Sequence, residues 1–142
     1  MSRRAAREAA LQALFQIDIG KVDSKKALDF VVEENRLNQK QVEFLWGLVH
    51  GVLGRLERID GIINEISVDW NLERMAGVDR NILRLALWEI CYSAEVPPNV
   101  AVNEAIELGK AFSTAESGRF INGILGRVLE SLDKYREVNA IK

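Results

Sequence analysis

The 142-residue sequence has a single cysteine, Cys91, and a single histidine, His50. One cysteine excludes a disulfide framework and any cysteine-rich zinc site, and one histidine argues against a histidine metal cluster or a catalytic triad. Prolines are scarce, and the two present stand side by side at Pro97 and Pro98. Strand-like alternation of apolar and polar residues is missing. No apolar run approaches the roughly 18–20 residues that span a bilayer. The charged N-terminus is not followed by the unbroken apolar stretch of a signal peptide. A soluble, cytoplasmic chain is expected. Charge of one sign is lacking too: 19 Lys and Arg against 21 Asp and Glu leave −2. Any nucleic-acid binding must therefore come from a local patch rather than from the chain as a whole.

What is present is helix. Ala, Leu, Glu and Arg abound, all good helix formers, and the length fits one domain, residues 1–142. A first helix is predicted over 3–19, ending before Gly20, and a second after Asp23-Ser24, with Ala27, Leu28, Val31 and Val32 at helical spacing. Leu45, Leu48, Val49, Val52, Leu56, Ile59, Ile63 and Ile66 keep one long helical rhythm, with a bend or break near Gly51–Gly54 or Asp60-Gly61. After the irregular VDWNLERMAG, the stretch VDRNILRLALWEICYS is apolar nearly all round, as a central buried helix would be. Pro97-Pro98 ends one helix and starts another, NVAVNEAIELGKAF, which is expected to bury Val102, Ala105, Ile106, Leu108 and Phe112. Ser113 and Glu116 have capping-box spacing before a last helix, SGRFINGILGRVLESL, and KYREVNAIK reads as a tail. The expected fold is an all-α bundle of about seven helices.

Two flanks do not fit a plain core. Arg3, Arg4 and Arg7 crowd a helix N-terminus, where the macrodipole disfavours bases by about a few tenths of a kcal/mol. On a helical wheel, Ala6, Ala10, Ala13, Leu14 and Ile17 form the core stripe, and Arg4, Glu8, Leu11 and Phe15 form a stripe beside it. In the last helix Phe120 lies off the apolar line of Ile121, Val128 and Leu132, near Glu116, Gly123, Arg127 and Arg119. Rings that stack on bases beside arginines that meet phosphates are the ingredients of single-stranded RNA binding. The plain alternative is that both rings pack and the arginines are solvated.

Other residues promise less. His50 is expected in solvent and Cys91 in the core. Arg80 and Arg84 share a face and are expected either to bridge to Glu73, Asp79 or Glu89 or to form a protein-partner surface. Glu104, Glu107 and Lys110 read as ordinary surface charges. No nucleophile or metal ligand stands near them, so no catalytic residue, metal or cofactor is assigned.

The blocks RxxAREAALQALFQ, VDRNILRLALWEI, VAVNEAIELGKAF and ESGRFINGILGR, in this order from about Arg3 to Leu132, resemble the bacterial NusB family. The resemblance implies two three-helix-like bundles and no enzymatic activity. It implies a heterodimer with NusE, a small-subunit ribosomal protein, that binds the boxA element of nascent ribosomal RNA. That complex joins elongating RNA polymerase with other Nus factors, suppresses Rho-dependent termination and supports ribosomal-RNA synthesis and processing. The implied RNA-binding residues are Arg3, Arg4, Arg7, Phe15, Glu116, Ser117, Arg119 and Phe120, and the implied NusE surface lies around Arg80 and Arg84. The basic run is short, so RNA affinity is expected to be weak without NusE. The competing readings are the NusB-like domain of a ribosomal-RNA cytosine methyltransferase, and a helical scaffold that binds protein alone. A homodimer that hides the RNA face is the alternative to a free monomer.

Overall fold

The computed structural model describes residues 3–67, 72 and 75–137. Glu73, most of VDWNLERMAG and the tail beyond Glu137 lie outside the described residues. Eight helices and no strand occur among those described: α1 (Arg3–Asp18), α2 (Ser24–Glu34), α3 (Gln39–Gly54), α4 (Leu56–Ile66), α5 (Gly77–Tyr92), α6 (Pro98–Phe112), α7 (Ala115–Glu130) and the single turn α8 (Leu132–Tyr135). None is long and apolar enough to cross a membrane.

Local chemistry sets the boundaries. The Asp23 carboxylate accepts from the backbone N–H groups of Lys25 and Lys26 and starts α2, and Asn38 with Gln41 forms a reciprocal capping box on α3. The long rhythm expected through residues 45–66 breaks at Arg55, just past Gly54. Pro98 occupies the first position of α6, where its missing N–H costs nothing. Thr114, not Ser113, caps α7: its hydroxyl accepts from Ser117 N, while Ser113 closes α6. The expected Ser113/Glu116 box is thereby replaced by a single side-chain cap from Thr114, one residue along.

Helix α1 packs on α2 and α3, and α5 packs on α4, α6 and α7; α1 and α3 lean against α5 and join the two groups. The core runs through both, with Leu28, Leu45, Leu48, Ile59, Ile63, Ile82, Leu83, Leu87, Ile90, Ile121 and Leu125 all but inaccessible. Cys91 is buried there, as expected, and burial pushes its thiol up. Phe112, expected inside, is instead exposed at the end of α6. The start of the segment expected to be a tail is docked. Tyr135 is buried with its hydroxyl donating to Glu65 at 3.0 Å, and Glu137 N donates to the Cys91 carbonyl at 2.8 Å.

Candidate nucleic-acid interface

Helices α1 and α5 run antiparallel, which separates the expected site into two ends. At one end the first turn of α1 meets the C-terminal half of α5 and the middle of α6. Arg3 pairs with Glu95 at 3.1 Å, its guanidinium 4.4 Å from the centre of the Phe44 ring. Arg4 donates through Nε and Nη2 to both oxygens of Glu104, at 3.2 and 2.9 Å, with its side chain half exposed. The hydrogen bonds from Arg4 hold the Glu104 carboxyl below its ordinary range, and Glu104 in turn raises Arg4. Glu104 is thus an arginine partner rather than a bystander on the helix surface.

Arg7 is different in kind. It forms a two-pronged pair with Glu89, at 3.0 and 2.8 Å, with side-chain exposure of 7% and 3%. Its guanidinium also lies 5.1 Å from the Phe44 ring centre. A side chain so enclosed does not reach an external phosphate. The anions nearest the three crowded arginines are the protein's own carboxylates, and only Arg3 and Arg4 keep a face in solvent. Leu11, in the expected mixed stripe, is buried, so that stripe is interrupted between Arg4 and Phe15.

At the other end, Phe15 is 37% exposed and Ile19 47%. Both flank Gly77, where an added Cβ would stand 2.9 Å from Ile19 Cγ1 and 3.0 Å from Phe15 Cε1. Any larger residue here would push the Ile19 and Phe15 side chains aside, so glycine lets them lie close on the start of α5. On the other side of this helix start, Met75, Ala76, Asp79, Thr114, Glu116, Ser117 and Phe120 line a cleft of about 510 Å³. Ser117 is the pin: its hydroxyl donates to Asp79 Oδ2 at 3.0 Å and lies 2.8 Å from Ser113 Oγ, tying the first turn of α7 to α5. Asp79 Oδ1 is buried with no hydrogen-bond partner among the described residues. Asp79 and Glu116 make the lining of the cleft acidic beside the half-buried Phe120 ring. Glu116, which lines the cleft, is exposed, as is Arg119, the residue before Phe120. Arg127, near Phe120 on the wheel, is committed elsewhere, to the Ile66 carbonyl at 2.8 Å.

The start of α5 therefore has Phe15 at Gly77 and, in a separate cleft, Ser117 and Phe120, with Arg4 eleven residues from Phe15 along α1, roughly 16 Å at the helical rise. Asp79 and Gly77 were missed by sequence reasoning as parts of this site. Asp79 carried a signal, being an acid in the first turn of the most buried helix.

Arg80 and Arg84 correct an expectation. Arg84 is buried and two-pronged to Asp60 at 2.9 Å, with a further bond to Asp18 at 3.1 Å. Arg80 meets Asp18 at 2.7 Å and the Leu72 carbonyl at 3.1 Å. They bridge α1, α4 and α5, as one of the two expected arrangements had it, but their acids are Asp18 and Asp60 rather than Asp79 or Glu89. Burial pushes the Asp18 carboxyl up, but hydrogen bonds from Arg80 and Asn81 and the charges of both arginines outweigh it and hold the group below its ordinary value. His50 is exposed, edge-on to Trp46. Among the described residues no group of three or more His, Cys, Asp or Glu is placed to hold a metal ion.

Comparison with known proteins agrees with this architecture. The NusB family model matches residues 4–130. The transcription antitermination protein NusB of Desulforamulus reducens is 52% identical over 134 residues, covering 94% of each chain. The solved structure of T. maritima NusB, 35% identical, covers 92% of each chain with a TM-score of 0.85. A crystal structure of the antitermination factors NusB and NusE in complex with dsRNA is 27% identical in its matching chain, with a TM-score of 0.84 over 91% of this chain and 96% of that one. The chain belongs to the NusB family.

Proposed function

We propose that the chain is a single-domain, non-enzymatic RNA-binding antitermination factor. With NusE it binds the boxA element of nascent ribosomal RNA, joins the elongating polymerase with other Nus factors and suppresses Rho-dependent termination. The observation that carries this reading is the match in fold to the chain solved with NusE and dsRNA. Phosphates meet the solvent-facing sides of Arg3, Arg4 and Arg119, and an unstacked base meets Phe120 over the cleft that Ser117 and Glu116 border. Two carboxylates at that cleft, Asp79 and Glu116, repel a phosphate and favour the donor edge of a base. Arg7 acts as a positioning residue that fixes the first turn of α1.

Phe15 and Ile19 form an exposed apolar pair, and Arg80 and Arg84 close by are neutralised by Asp18. That composition suits the protein partner NusE better than RNA, and Arg80 and Arg84 stand behind it as its support. A fluorescent boxA-type RNA titrated with the chain, with and without NusE, at two salt concentrations tests the reading. Salt-sensitive binding that NusE strengthens is expected. An RNA that fails to bind even with NusE present would leave the protein-only scaffold as the better account.

A further inference from the structure

Where α3 turns into α4, Arg55 and Arg58 lie against Tyr92, and Arg136 from the C-terminal segment reaches its neighbour Ser93. The Arg55 guanidinium lies 4.9 Å from the ring centre and that of Arg58 lies 5.6 Å away. Arg58 also donates to the Tyr92 hydroxyl at 3.0 Å and to the Tyr135 carbonyl at 2.9 Å. Arg136 arrives from the docked C-terminal segment and donates to the carbonyl of Ser93, the residue after Tyr92, at 3.2 Å. Compensation is thin. Among the described residues, Glu137 alone forms an ion pair with any of the three, meeting Arg58 Nε at 3.0 Å with both side chains more than a third or close to a third exposed. Arg55 is exposed, and among the described residues its guanidinium meets the ring and no carboxylate. Arg136 Nε is buried and has no acceptor among the described residues.

A buried guanidinium N–H without an acceptor costs free energy that an incoming oxygen would recover. Three guanidinium groups, of which only Arg58 has an ion-pair partner among the described residues, leave a local excess of positive charge on a chain that is acidic overall. Planar forked donors of this type match tetrahedral oxyanions, which offer more acceptor oxygens than a carboxylate does. We propose that Arg55, Arg58 and Arg136 form a phosphate-binding site around Tyr92, with Glu137 as the internal anion that holds it until a phosphate displaces it. Tyr92 lies one turn beyond Glu89, the partner of Arg7, so the site stands at the arginine end of α5, away from the Phe120 cleft. The phosphate comes either from an RNA backbone continuing past the N-terminal arginines, which rests on the RNA-binding reading above, or from a free phosphate compound, which does not.

The test uses the full chain with ¹⁵N-labelled arginine, titrated separately with pyrophosphate and with a boxA-type single-stranded RNA. The variants are Arg55→Gln and Glu137→Gln, both on exposed or half-exposed side chains. Pyrophosphate is expected to shift the Arg55 and Arg58 Nε–H signals saturably. Glu137→Gln should tighten it by about two- to fivefold, the scale of one half-exposed ion pair, and Arg55→Gln should weaken it. If RNA is the source, Arg55→Gln lowers the slope of log affinity against log salt by about 0.7; an unchanged slope with pyrophosphate still bound identifies the free compound. Neither probe shifting these signals, or Glu137→Gln failing to tighten pyrophosphate, overturns the site. RNA binding that persists unchanged in both variants while these signals stay still would sink the site and leave the antitermination reading standing.

Discussion

Replacing Arg7 with Gln should unfold this protein far more readily than it weakens any ligand. Arg7 and Glu89 are 7% and 3% exposed and share two hydrogen bonds of 3.0 and 2.8 Å. Removing one partner leaves a charge buried and unpaired, which costs about 3–5 kcal/mol. Unfolding entropy near the midpoint is about 2.1 cal/mol/K per residue, or about 0.3 kcal/mol/K for a chain of this length, so the melting temperature should drop by about 10–17 °C. Arg7→Met with Glu89→Leu removes both charges together and should recover most of that loss, since an apolar pair of similar volume is often as stable as a buried ion pair. Arg4→Gln makes the control: its side chain is half exposed, and its melting temperature should move by no more than about 3 °C. Thermal unfolding followed by circular dichroism reads all of these. An Arg7→Gln protein that melts within 3 °C of wild type while losing RNA affinity would refute the placement of Arg7 as a positioning residue.

Other consequences follow from the packing and the charges. Gly51→Ala places a Cβ 2.2 Å from Trp88 Cε2, so the indole must move; a loss of about 1–3 kcal/mol in urea unfolding is expected, and a neutral result would mean that the ring turns aside freely. Asp18 is held below its ordinary value by Arg80, Asn81 and Arg84 despite its burial. Its contribution to stability is therefore fully present above about pH 4, the unfolded carboxylate value, and is lost as the pH falls through the lower folded value. Asp18→Asn should flatten the acid limb of a stability–pH curve, and an unchanged limb in that variant would contradict the assignment.

Much of the fold was legible because its determinants are local. Asp23 before α2, Pro98 at the head of α6 and the apolar wheel of α5 each state their meaning within a few residues. The break at Arg55 was readable from Gly54. The cap on α7 was misassigned by one residue because Ser113 and Thr114 both offer hydroxyls, and only the backbone decides which one faces Ser117 N. Arg7 shows where a single-helix wheel fails. Its neutralising acid, Glu89, is 82 positions away, so one helix cannot reveal that the charge is enclosed. A signal was there, since Ala10, Leu11 and Leu14 follow it at three, four and seven residues, on the face that packs inward. Arg80 and Arg84 were recognised as possible bridges, but their acids Asp18 and Asp60 come from other helices. The docking of Tyr135 depends on Glu65 and Arg58, which no local pattern in KYREVNAIK announces.

The most direct test of the account is the RNA affinity of the Arg4→Ala/Phe120→Ala double variant in the presence of NusE, measured alongside its melting temperature. The account predicts affinity at least about tenfold weaker, since one stacked base alone is worth about 1–3 kcal/mol, in a protein that still folds and still binds NusE through Phe15 and Ile19. A folded double variant that binds the RNA as tightly as wild type would contradict it.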